Sequence, residues 1–152
     1  MKKSGAVWIY LAAAIALVGV VIHVAAIVGG AEWYAYFGAP PPIVESARAG
    51  TWLAPVSCAA IAALMALCAA YAFSALGHIR RLPLLRLMLG GMAGVCLLRA
   101  LILVPLAINH PELRNAFEFG AAFVWGLAGV GFAVGWRNTR LAKAVPGSLR
   151  AA

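Results

Sequence analysis

Aspartate is absent from this chain of 152 residues, and its four acids are all glutamates: Glu32, Glu45, Glu112 and Glu118. That scarcity excludes several chemistries. Phosphoryl transfer on Mg²⁺ draws on clustered carboxylates, whereas these acids fall in two separate stretches. The three cysteines form no CxxC. Cys58 and Cys68 stand about 15 Å apart on one helix by its rise, and Cys96 lies in another apolar segment, which argues against a redox dithiol and a tetrahedral zinc site. They read as small buried hydrophobes. Of the three histidines only His23 lies within an apolar run, so the axial pair that haem normally uses is missing. No GxSxG elbow, phosphate loop or HExxH helix occurs. No cofactor or metal is expected.

Charge of either sign is scarce too. With 65% hydrophobic and 11% charged residues and a mean hydropathy of +0.97, the chain has too little polar surface to cover a soluble globule. Four segments, 6–29, 51–76, 83–108 and 116–136, meet the length of about 20 apolar residues that a helical span requires. They leave no room for a soluble domain, so the expectation is a single all-α unit over 1–152. Its form is a four-helix transmembrane bundle with a long first loop and a basic tail, 137–152. Lys2 and Lys3 before the first run imitate a secretory signal, but the run is about twice the usual 7–15 residues and no AxA-type site follows, which indicates an uncleaved anchor.

The basic residues set the expected orientation, because cytoplasmic loops are enriched in Lys and Arg. Lys2, Lys3, Arg80, Arg81, Arg86, Arg137, Arg140, Lys143 and Arg150 share one side, and only Arg48 and Arg114 lie opposite. Both termini should face the cytoplasm, in the inner (cytoplasmic) membrane, with the first and third loops outside. The net charge of +8 is largely this bias together with contact to anionic lipid. It gives no reason to invoke nucleic acid.

Arg99 is the exception, an arginine inside the third span. Burial at a bilayer centre costs from about 2.5 to more than 10 kcal/mol, so such a residue normally faces the bundle and has a partner. By helical rise Arg99 lies about 13 Å below Ile108, Glu118 about 10 Å below Pro111, His23 about 10 Å below Gly30 and Ser57 about 9 Å below Thr51. The expectation is therefore an outer polar layer, with Glu118 as the first choice of partner for Arg99 and Glu32 as the second. Pro105 releases the Leu101 carbonyl nearby. Arg114 and Glu118, four residues apart, have the spacing of a helical salt bridge.

Residues 30–50 carry Glu32, Trp33, Tyr34, Tyr36 and Phe37, then Pro40, Pro41 and Pro42. The aromatic content suits headgroup level, and the stretch reads as a lid over the polar layer or a loop anchored at the interface, with 43–49 as a possible short helix. Gly90 with Gly94 and Gly131 with Gly135 have GxxxG spacing, which allows close helix approach within the chain or in a homodimer.

In size and layout the chain resembles compact four-helix membrane proteins such as the DoxX-like proteins and the EXPERA group of sterol-binding and isomerase domains. This resemblance covers architecture alone and transfers no function. The favoured expectation is a non-catalytic protein that binds a lipid-like ligand or a larger membrane partner around Arg99, Glu118, His23, Glu32, Ser57, Trp33 and Tyr34. The first alternative is a small membrane enzyme acting on an isoprenoid, quinone or lipid, with Glu118 or Glu32 and His23 as acid and base and Arg99 stabilising an anion. The second is a homodimeric small-molecule transporter, ranked last because no carboxylate sits near a span's midplane.

Overall fold

In the computed structural model the apolar runs fold as helices in the order α1 (Lys3–Gly29), α2 (Ala31–Tyr36), α3 (Pro41–Arg48), α4 (Leu53–Leu76), α5 (Leu85–Asn109), a 3-10 turn (Pro111–Leu113) and α6 (Ala116–Leu141). Residues 3–141 are described; Lys2 and the part of the expected tail with Lys143 and Arg150 lie outside the described residues. Among the described residues there is no strand. Four of the helices, α1, α4, α5 and α6, are long and apolar enough to cross a membrane. In each, only 22% of the most apolar stretch is buried inside the protein. Apolar side chains that point outward over that length belong in lipid, where a helix satisfies its own backbone.

The first loop contains the short helix expected near 43–49, as α3, and a second that the sequence does not announce, α2. Residues 31–48 hold two short helices, because Gly30 adopts φ 72° and breaks the rod after α1, a conformation open to glycine at little cost. Pro41 and Pro42 then occupy the first turn of α3, where a missing N–H is harmless. Buried Ser46 locks the exit from α3: its hydroxyl accepts from Ala54 N at 3.0 Å and lies 2.6 Å from Thr51 Oγ1. Ser46 thus caps α4 across the turn.

Contacts gather into two units. One comprises Ala16–Ala69; the other comprises the described residues up to Ile15 and from Ala70 onward. In the first, Ala26, Tyr34, Val44, Ala54 and Cys58 form a buried cluster flanked by Phe37 and Ile43.

In the second unit α5 and α6 pack antiparallel. A Cβ built on Gly129 would fall 2.8 Å from Leu97 Cγ, one on Gly126 would fall 3.7 Å from Ala100 Cβ, and one on Gly90 would fall 3.2 Å from Trp136 Cδ1. Gly131 sits against the Trp8 carbonyl and 2.6 Å, by the same construction, from Ala12 Cβ. That GxxxG face is therefore used within the chain, whereas Gly94 looks onto open space. α5 continues through Pro105.

The fourth long helix starts at Ala116, where the fourth apolar segment begins, and not at Pro111, from which the depth of Glu118 is reckoned in the sequence. Asn115 is its cap, with Oδ1 accepting from Glu118 N at 2.9 Å. This puts Glu118 in the first turn of α6, where a carboxylate suits the positive end of the helix dipole. The expected depth of about 10 Å shrinks to about 3 Å from Ala116.

Candidate functional site

Most of the expected site residues fall into two groups, one in each unit. Arg99 and Glu118 form the first, with Arg99 Nη2 3.5 Å from Glu118 Oε2. Arg99 lies about 15 Å along α5 from Asn109 by helical rise, and its long stem carries the guanidinium to the acid. The side chains are 42% and 22% exposed, so the pair is partly open to its surroundings. The Arg114–Glu118 bridge suggested by spacing does not form. Arg114 precedes α6, so helical spacing does not apply to it, and it donates instead from Nε to the Ala107 carbonyl at 2.6 Å and from Nη2 to the Ile108 carbonyl at 3.2 Å. It thereby closes the C-terminal end of α5.

Glu32, the second choice for Arg99, pairs with Arg48 at 3.7 Å. Both side chains are more than half exposed, and such a bridge contributes at most about 1 kcal/mol. Its neighbour Trp33 packs on Gly29 and meets Phe37 edge-on at 5.9 Å between centroids.

The second group surrounds a cavity of about 350 Å³ bounded by the end of α1, by α2 and α3, and by the start of α4. It brings together three residues expected in a site, His23, Tyr34 and Ser57, and adds Cys58. Ile22, Phe37, Ile43 and Ile61 complete an apolar wall. Sequence reading set Cys58 aside as structural, and nothing in its spacing links it to Tyr34, which reaches it only because Gly30 turns α2 back.

The state of each polar atom follows from its partner. His23 Nδ1 donates to the Gly19 carbonyl at 2.8 Å, so the neutral ring keeps its lone pair on Nε2. Ser57 Oγ is 2.8 Å from the Leu53 carbonyl and 3.0 Å from that of Ala54, which commits its proton to its own helix. Tyr34 is 3% exposed, and its hydroxyl has no conventional hydrogen-bond partner. The nearby Cys58 thiol is a weak partner. Burial, followed by the field of Cys58, raises the Tyr34 phenol above its usual range, so at neutral pH it is an uncharged donor. Among the described residues, no carboxylate lines the cavity.

Among the described residues, no group of three His, Cys, Asp or Glu is placed to hold a metal ion. Comparison with protein-family models, curated proteins and solved structures finds no match for this chain.

Proposed function

We propose that this is a multi-pass protein of the cytoplasmic membrane, with both termini inside, that holds an uncharged lipid-like molecule in the cavity lined by His23, Tyr34, Ser57 and Cys58. One observation carries the reading: on the wall of an apolar cavity a buried tyrosine hydroxyl has no conventional hydrogen-bond partner and only the weak Cys58 thiol beside it. Leaving such a group unsatisfied costs about 1–3 kcal/mol, so its presence calls for an explanation. A ligand oxygen would accept from it. A ligand hydroxyl would also find an acceptor in His23 Nε2, whereas a bare carbonyl would not. The volume is at the low end of the roughly 300–1,000 Å³ typical of small-molecule sites, which suits a ring or a polar head with its chain in the bilayer.

Binding is favoured over catalysis because no carboxylate among the described residues lines the cavity, and Glu118 and Glu32 are engaged by Arg99 and Arg48. Ser57 has no free proton to lose to a base.

The test is to purify the protein with its native lipids, identify co-purifying molecules by mass spectrometry, and repeat with Tyr34→Phe and Arg99→Leu. The expected result is one enriched uncharged species, reduced about tenfold by Tyr34→Phe, the worth of one hydrogen bond, and retained by Arg99→Leu. Absence of any species enriched over bulk lipid overturns the proposal. Loss with Arg99→Leu alone moves the site to the Arg99–Glu118 pair.

A further inference from the structure

Residues 77–84, between α4 and α5, carry Arg80 and Arg81, and α5 adds Arg86 in its first turn. This basic segment is held in place. Buried Ser74 donates to the Arg80 carbonyl at 3.2 Å and accepts from Leu82 N at 3.0 Å, fixing the backbone on both sides of Arg81. Tyr71 Oη donates to the Pro83 carbonyl at 3.1 Å. Leu84 then takes the left-handed conformation, φ 52°, which L residues avoid and which marks an over-determined spot.

Arg86 is positioned from the other side. Its guanidinium lies over the Trp136 ring, 5.6 Å from the centroid, and Gly90, one turn further along α5, leaves room for the indole. Stacking holds an arginine by its face while the N–H groups at its edge stay available for an oxyanion. Arg81, Arg86 and Trp136 line one cleft of about 580 Å³, with Leu84, Leu85 and Leu87 on its apolar side. Leu84 and Leu87 are each 68% exposed.

Among the described residues, no acid lines this cleft. All four acids lie within 32–45 and 112–118, and neither Arg81 nor Arg86 makes an ion pair among the described residues. Two arginines, a tryptophan of the kind that settles at headgroup level and projecting leucines match one chemistry: a phosphate with acyl chains attached. We propose that this cleft binds the phosphate head of an anionic phospholipid, with Arg81 and Arg86 on the phosphate and Leu84 and Leu87 against the glycerol and first methylenes. The inference is independent of the cavity beside Tyr34.

The test uses the full chain in neutral detergent, with lipid retention read by native mass spectrometry. The probes are dioleoylphosphatidylglycerol, dioleoylphosphatidylcholine with the same chains, and glycerol phosphate with none. Phosphatidylglycerol should be retained over phosphatidylcholine, and the double substitution Arg81→Gln, Arg86→Gln should lower its affinity about thirtyfold, from about fivefold per arginine. Arg137→Gln, outside the cleft, should leave it unchanged. Arg86→Lys should lose part of the affinity, since it keeps the charge without the planar fork. Equal retention of the two lipids, or full retention by the double variant, overturns the proposal. Competition by glycerol phosphate at the concentration of the lipid also overturns it, in favour of a soluble phosphate ester.

Discussion

At the scale of single residues, two polar groups have opposite predicaments. Arg99 in α5 has a charged partner, whereas Tyr34 in α2 has only the weak Cys58 thiol. Removing one member of an ion pair from an apolar setting leaves the other uncompensated, while removing both is far milder. Glu118→Gln should therefore destabilise the protein by about 2–4 kcal/mol, and Arg99→Leu with Glu118→Leu should recover most of that loss, as read by reversible unfolding in mixed micelles. For Tyr34 the sign reverses: Tyr34→Phe should stabilise the ligand-free protein by about 1 kcal/mol. Its pH dependence follows from the raised phenol. Between the usual value of 10.0 and the higher folded value the native state retains a proton that the unfolded chain releases. This contribution is complete below pH 10.0 and lost as pH rises through the folded value. Tyr34→Phe should accordingly lose stability less steeply above that pH than the parent.

At the scale of elements, the glycines separate by what they face. Gly131 lies against the Trp8 carbonyl and Ala12, while Gly94 has nothing within 4 Å of an added Cβ. Gly131→Ala should cost about 1–3 kcal/mol through overpacking, whereas Gly94→Ala should be neutral or gain up to about 1 kcal/mol from helix propensity. Unfolding of the two variants side by side tests the contrast, which the identical GxxxG spacing in the sequence could not reveal. The long helices were legible because hydrophobic length alone defines them. α2 was not, since six residues are too few for a periodic signal, and α3 was legible only from Ile43, because proline reads as a breaker until its place in the first turn is known. The depth of Glu118 was overestimated for a related reason. Pro111 opens a 3-10 turn rather than the long helix, and Asn115 supplies the cap, so the i, i+4 spacing of Arg114 and Glu118 lost its meaning.

At the scale of the molecule, charge distribution supports the proposed topology. Reporter fusions at Gly77 and after Leu141 should signal from the cytoplasm, and fusions at Gly38 and Asn115 from the opposite side; a cytoplasmic signal at Gly38 would invert the orientation. How much of the site was readable depends on the physics behind each residue. The cost of a charge in a span singled out Arg99 and named Glu118. His23 and Ser57 stood out as polar atoms in apolar helices, and Tyr34 as part of an aromatic run, but that these three share one wall with Cys58 depends on the turn at Gly30. The cleft at Arg81 and Arg86 looked like ordinary topology charge, since the pinning by Ser74 and Tyr71 leaves no mark in spacing. That pinning bears on how the chain meets a protease. Arg80 and Arg81 are exposed tryptic sites in a short connection, ordinarily the first place to be nicked. Cleavage requires the segment to open, and opening here must break the bonds from Ser74 and Tyr71. Trypsin should spare this connection in the parent and cut it in Ser74→Ala, a difference visible on a gel.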